Sequence, residues 1–242
     1  MNKAVMLNIE MTYGTIRDTI HPVILMDEHH CVLVDCGYIG SLPKIEAALE
    51  MNGLAPQAVT HIILTHQDHD HVGAAAAFKK KYPAVSVLAS AIEEPYISGK
   101  KKSLRLEQAE QLQSTLPPEQ QAFGEEFCSL LRRVEPVHID QRLYDKDQLP
   151  FCGGCVVAAT PGHTPGHISL YLPMLDVVIC GDAMALDGGK PVIANPQFTL
   201  DIDEAAISLQ RLLAFGSKRV ICYHGGEFNA NTPISAPNAA RD

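Results

Sequence analysis

The chain has 242 residues, of which 46% are apolar, and a formal charge of −9 at neutral pH. That length suits one large domain, and that apolar share can fill a sizeable core. An acidic chain whose basic runs are as short as Lys79-Lys80-Lys81 and Lys100-Lys101-Lys102 is a poor match for a polyanion, so no nucleic acid is expected as its main partner.

In chain order, short β-rich runs alternate with helical patterns. The opening MNKAVMLNIEMTYG lacks the apolar core and cleavage site of a secretion signal. No apolar run approaches the roughly 18–20 residues that span a bilayer, so no membrane partner is expected. MTYGTIRDTIH (11–21) reads as a surface hairpin, with Tyr13 and Arg17 as candidate substrate contacts. CVLVDCG (31–37) reads as a strand. SLPKIEAALEMNG sets Leu42, Ile45 and Leu49 at helical spacing, with Ser41 as N-cap and Gly53 as stop. VTHIILTH (59–66) and AVSVLAS (84–90) read as strands. Residues 93–133 are polar, rich in Gln and Glu, broken by Pro117-Pro118, and read as a helical insertion joining two halves. CVVAATPGH (155–163), ISLYLP (168–173), DVVICGD (176–182) and RVICYHGG (219–226) read as further strands. DIDEAAISLQRLLAFG forms a helix between the last two, and the tail from about 228 to 242 reads as poorly ordered. Several strands are apolar throughout, as strands covered on both faces are. The expectation is a single α/β domain over 1–242, with about four layers.

Seven cysteines scattered through apolar runs suggest buried thiols in a reducing compartment, so the expected location is the cytosol. Cys152-Gly153-Gly154-Cys155 is a CxxC, but its Gly-Gly centre reads as a hairpin turn rather than a redox pair. His21, His29, His30, His61 and His138 stand outside any motif and read as structural or exposed.

The chemistry gathers at strand ends. VTHIILTH runs into THQDHDHVG (65–73), CVVAATPGH ends at His163, DVVICGD at Asp182 and RVICYHGG near His224. Strand-end loops are where α/β proteins build sites, and imidazoles and carboxylates converging there suit zinc, iron or manganese. Along an extended loop, side chains at i, i+2 and i+4 share a face. This gathers His66, Asp68 and Asp70, with His71 reaching in from the turn and His69 pointing away; a second register would put His69 in place of Asp68 as ligand.

These motifs, THQDHDHVG, TPGHTPGH, GDA and YHGG, with VLVDCG at 32–37, together resemble the metallo-β-lactamase-fold hydrolases over residues 32–226. The resemblance implies an αββα sandwich with a two-metal site at one edge. The family's usual His-x-His-x-Asp-His run is here His66-x-Asp68-x-Asp70-His71, so an aspartate stands at the third place. By resemblance, His66, Asp68 and His163 hold a first divalent ion, and Asp70, His71 and His224 hold a second. Asp182 bridges both. Asp35 sits below them holding loops. His167 reads as structural, and Thr65 and Thr164 read either as orienting ligands or as bonding local backbone. Asp68 adds a charge and a hard oxygen donor, which makes iron or manganese more competitive with zinc.

The implied activity is hydrolysis of a small-molecule ester, thioester, lactone or phosphoester. Two ions about 3.5–4 Å apart activate water as a bridging hydroxide and polarise the substrate oxygen, and Asp70 orients the nucleophile. A β-lactamase is disfavoured by the Asp182 bridge. A hydroxyacylglutathione hydrolase is disfavoured because only 18 residues follow His224, too few for a glutathione-binding helical domain. Nuclease relatives carry further domains and basic surfaces. A di-iron oxidoreductase, favoured by the carboxylate at 68, and a non-catalytic ligand-binding member stand as alternatives. A homodimer is left open.

Overall fold

The computed structural model describes residues 2–13 and 16–229. In chain order the elements are β1 (Lys3–Met6), β2 (Ile9–Tyr13), β3 (Ile16–Ile20), β4 (Val23–Met26), β5 (Cys31–Val34), α1 (Leu42–Met51), β6 (His61–Leu64), α2 (His69–Val72), α3 (Ala75–Lys81) and β7 (Ser86–Ser90). There follow α4 (Glu94–Ile97), α5 (Leu104–Gln113), α6 (Gln121–Arg132), β8 (Gln141–Leu143), β9 (Gln148–Leu149), β10 (Cys155–Ala159), β11 (Ile168–Leu172) and β12 (Val177–Ile179). β13 (Ala185–Asp187), β14 (Lys190–Val192), α7 (Ile202–Ala214), β15 (Arg219–Cys222) and β16 (Gly226–Asn229) complete the described chain.

Two six-stranded sheets run in the orders β1-β4-β5-β6-β7-β8 and β16-β15-β12-β11-β10-β9. Strand alternation explains the layering. In the first sheet Val32, Val34, Ile63 and Leu88 face inward and meet Val157, Leu170, Val177, Ile179 and Ile221 of the second. Their neighbours Leu33, Ile62, Leu64 and Val87 face outward onto Ile45 and Leu49 of α1 and Phe78 of α3. On the far side Val178, Val220 and Cys222 pack against Leu212 of α7. The result is the four-layer αββα sandwich that the resemblance implies.

Helices occupy the segment read as an insertion. α5 and α6 pack on each other through Ala109, Cys128 and Leu131, with Leu106 and Phe127 beside them. None of the helices among the described residues is long and apolar enough to cross a membrane.

Several local expectations differ. Residues 69–72 form a helical turn rather than continuing an extended loop. Ser41 precedes α1 without capping it, because its hydroxyl turns to Met11 Sδ at 3.7 Å. The expected tail loses its first two residues to β16, and 230–242 lie outside the described residues. Cys152 and Cys155 are free and buried, Cys152 in the turn joining antiparallel β9 and β10 and Cys155 at the start of β10. Burial pushes the Cys155 thiol up to about 12, leaving it a poor nucleophile.

Candidate active site

β5 and β6 run parallel. β12 and β15 are also parallel, and β10 points the same way as β12 through two antiparallel steps. Their carboxyl ends therefore deliver Asp35, His66, His163, Asp182 and His224 to one edge of the sandwich. After β6 the chain bends through 65–67, is extended at Asp68 and then turns into α2, which places Asp70 and His71 on a helical turn. Asp68 O anchors that turn, accepting from His71 N at 2.9 Å and Val72 N at 3.0 Å.

Two glycines permit the close packing. A Cβ on Gly73 would stand 2.3 Å from Ile39 N, and Gly162 combines φ +127° with 2.2 Å to Ala205 N. Only Gly fits either place without displacing backbone.

All seven sequence-predicted residues come together. Three sets have donor atoms mutually close enough for one ion: His66, Asp68 and His163; His66, His71 and Asp182; and Asp70, His71 and His224. Asp182 spans the cluster. Its Oδ1 lies 3.3 Å from His71 Nε2 and 3.7 Å from His224 Nε2, and its Oδ2 lies 3.5 Å from His163 Nε2. Asp70 Oδ2 is 3.1 Å from His224 Nε2. His69 stands outside these sets, edge-on to Tyr38 and Phe127.

Outer residues fix the ring orientations. Asp35, held at φ +63°, accepts from Thr65 N and Oγ1 and from His71 Nδ1, all at 2.9 Å. Because Thr65 Oγ1 donates to Asp35, it accepts from His66 Nδ1 at 3.1 Å. Each Nδ1 therefore carries the proton, and each Nε2 turns a lone pair to the cluster. His167 Nε2 accepts from Asp182 N at 2.9 Å. Burial and then the neighbouring His66 and His163 hold that ring well below its ordinary range, in keeping with a neutral acceptor. Thr164 contributes its carbonyl, which accepts from Gly162 N and His167 N.

The cluster fits a cation. His66 Nε2, His71 Nε2, Asp68 Oδ1 and Asp182 Oδ1 are buried with no hydrogen-bond partner, a costly state unless something charged lies between them. Burial opposes charge on His71 and His224. Even so, the carboxylates of Asp35, Asp182 and Asp70 raise His71 well above 6.5, and Asp182 and Asp70 raise His224 to about 9. So concentrated a negative charge calls for positive charge, and a divalent ion supplies it.

Three contributors lie outside the residues predicted from the sequence. Glu93, fully buried, accepts from Gln67 N and Nε2 at 3.0 Å and from Gly166 N at 2.8 Å. It thereby ties the His66–Asp68 loop to the TPGHTPGH loop. Tyr223 Oη donates to Asp70 O at 2.5 Å, and its ring lies 3.9 Å from that of His71. Arg105 of α5 is 3% exposed and donates to Asp68 Oδ2 from Nε at 3.0 Å and from Nη2 at 2.5 Å. The charge departure at Asp68 is the one hint that a partner cation is needed.

The cluster opens into a cavity of about 430 Å³ lined by Asp18, Tyr38, Phe127, Asn195 and Phe198 among others. Arg17 is exposed and turned away; Asp18, its neighbour of opposite facing in β3, lines the cavity instead. The side chain of Tyr13 lies outside the described residues. None of His21, His29, His30, His61 and His138 belongs to the three sets. A second hollow of about 400 Å³ adjoins the cavity, sharing Arg105, Phe127 and Phe198 in its lining and bordered also by Ala109, Leu112, Leu116 and Phe123 of α5 and α6 and the segment between them.

Residues 17–224 match the family model for the metallo-beta-lactamase superfamily. The chain is 28% identical over 216 residues to a probable metallo-hydrolase, YflN, of Bacillus subtilis, covering 82% of this chain and 76% of that protein. It is 31% identical over 182 residues to a hydroxyacylglutathione hydrolase of Brucella anthropi, covering 74% and 52%; the chain thus spans about half the length of that relative. A metallo-beta-lactamase family protein of Thermus thermophilus superposes with a TM-score of 0.72 at 25% identity, over 93% of this chain and 74% of that one. With strand ends, histidine and aspartate spacing and family match in agreement, the chain belongs to the metallo-beta-lactamase superfamily of metal-dependent hydrolases.

Proposed function

We propose that the protein hydrolyses a small-molecule carboxylic ester, thioester or lactone whose acyl part is apolar. The carrying observation is the juxtaposition of the histidine and aspartate cluster with the apolar hollow that begins at Phe127 and Phe198. A carbonyl placed at the cluster leaves room for a hydrocarbon chain along α5 and α6. The hollow favours carboxylic substrates over phosphoesters, and the hydroxyacylglutathione hydrolases among the relatives agree with thioester chemistry.

Asp182, His71, His224 and Asp70 would hold a divalent ion, with His66, Asp68 and His163 beside them. When bound, such an ion acts as a Lewis acid on the carbonyl oxygen and acidifies water. Asp70 lines the cavity. Burial opposes its charge, but His71 and His224 hold its carboxyl well below the usual range. It is therefore a fixed anion that orients a nucleophile by accepting its hydrogen bond, not a store for the proton. Phe127 and Phe198 exclude water from one wall.

The test is a panel of p-nitrophenyl esters of increasing chain length, with thioesters, lactones and phosphodiesters, on metal-reconstituted protein. Each added methylene contributes up to about 0.8 kcal/mol, or roughly fourfold in kcat/KM, until the hollow is filled. Turnover of the phosphodiesters alone, or a flat chain-length profile, would overturn the proposal.

A further inference from the structure

We propose that Arg105 supplies the cation of the first metal position. On this view the chain binds one divalent ion tightly, among Asp70, His71, Asp182 and His224, and a second only weakly. This goes beyond the hydrolase reading and rests on it only in that the cluster binds metal.

Asp68 Oδ2 is the atom in dispute. It stands 3.0 Å from His163 Nε2 and 3.6 Å from His66 Nε2, where the donor set for a first ion would converge. The same oxygen accepts from both Nε and Nη2 of Arg105. Nη2 also lies 3.4 Å from His163 Nε2, so a nitrogen of the guanidinium borders the space that an ion held by His163 would need. A guanidinium is a permanent cation, and a divalent ion beside it meets strong like-charge repulsion in a buried setting.

The guanidinium is held from several sides. Nη1 donates to Phe198 O at 2.5 Å and to Gln108 Oε1, and the group lies over the Phe198 ring at 5.1 Å from its centre. The start of α5 is pinned as well: Leu104 N donates to Gln67 Oε1 at 2.8 Å, directly beside Asp68. Replacing the family's imidazole by Asp68 adds one negative charge, and Arg105 returns one positive charge. The opposite corner has no such competitor: Asp70, His71, Asp182 and His224 face one another with His71 Nε2 and Asp182 Oδ1 unpartnered.

The experiment reads metal content, not turnover. Chelator-stripped protein is reloaded with zinc or manganese, dialysed, and assayed by elemental analysis and by calorimetric titration. Wild type should retain about one equivalent, with any second bound at least about a hundredfold more weakly. Arg105→Gln should raise the content toward two, and Arg105→Lys, which keeps the charge, should remain near one. Asp68→His combined with Arg105→Gln should bind two within about tenfold of each other. Far-ultraviolet circular dichroism and a thermal midpoint establish that each variant folds, and the lysine variant carries the test if the glutamine variant does not. Two comparable equivalents in wild type would overturn the proposal, showing that an ion uses the buried and unpartnered Asp68 Oδ1 with Arg105 in place. One equivalent in folded Arg105→Gln, or two in folded Arg105→Lys, would also overturn it. Failure to bind any metal would sink the hydrolase reading too, whereas the predicted stoichiometry without esterase activity would sink only that reading.

Discussion

Glu93 offers a perturbation whose sign changes with pH in a calculable way. It accepts from two buried backbone N–H groups, Gln67 and Gly166, and from the Gln67 amide. Glu93→Ala strands both backbone donors at about 1–3 kcal/mol each, roughly 2–6 kcal/mol in all. An opposing effect depends on pH. Burial pushes the Glu93 carboxyl up from 4.5 to about 7, against the hydrogen bonds that favour its anion. A folded-state pKa above the unfolded value means that the proton favours the native state. The contribution is therefore fully present below 4.5 and is lost as pH rises through 7, by on the order of 3 kcal/mol. Glu93→Ala should cost most near about pH 5 and much less near about pH 8. Denaturant unfolding of metal-stripped protein measures this directly, with an unchanged slope confirming that only stability has moved. Glu93→Gln should remove this part of the pH dependence while keeping part of the hydrogen bonding. A wild-type midpoint in Glu93→Ala, or a penalty equal at both pH values, would refute the reasoning. The same variant should weaken metal binding by about 10–100-fold, because Glu93 steadies the loop bearing His66 and Asp68.

Asp182→Ala should strip the tightly held ion and abolish hydrolysis while leaving the circular dichroism spectrum native, since Asp182 reaches His71, His163 and His224 from a strand end; retained metal with turnover would show that it has been misassigned. His69→Ala should leave metal content nearly unchanged, because its ring faces Tyr38 and Phe127, and should instead raise KM for substrates that fill the cavity. Loss of metal on that substitution would mean that the loop register is wrong.

The sandwich was legible because its signals are local. Apolar runs such as CVLV and HIIL sit in strands whose neighbouring residues face two different cores, and uninterrupted apolarity is the signature of that double burial. The strands at 3–6 and 23–26 and the short pairs after 140 were missed. They are brief or mixed in polarity, and their partners lie far off in sequence, as when β1 pairs with β4. The residues of the cluster were readable because His66, His163, Asp182 and His224 follow strand ends and the spacing of His66, Asp68, Asp70 and His71 is tight. The local geometry was not: alternation along an extended loop was assumed, whereas α2 begins at His69. That change sets Asp70 beside His71 and His224 rather than beside His66 and Asp68.

What stayed hidden was long-range pairing of charge. Glu93 lies 26 residues from Gln67, and Arg105 lies 37 from Asp68. No periodicity links such pairs, and each looks like one more polar residue in a solvated helical stretch. Burial separates them from their neighbours: Glu93 and Arg105 are enclosed, while Glu107 and Glu119 in the same segment are not. A carboxylate at position 68 cannot be buried alone. Something cationic had to reach it, and the helices over 94–132 send it: Arg105 of α5 donates to Asp68. By supplying Arg105 to the cluster and Phe127 and Leu112 to the hollow beyond, the same helices set both the charge at the first metal position and the shape of what can approach the second. Changes in α5 should therefore alter metal stoichiometry and acyl preference together, while changes in the strand ends should alter metal binding, and turnover with it, without shifting acyl preference.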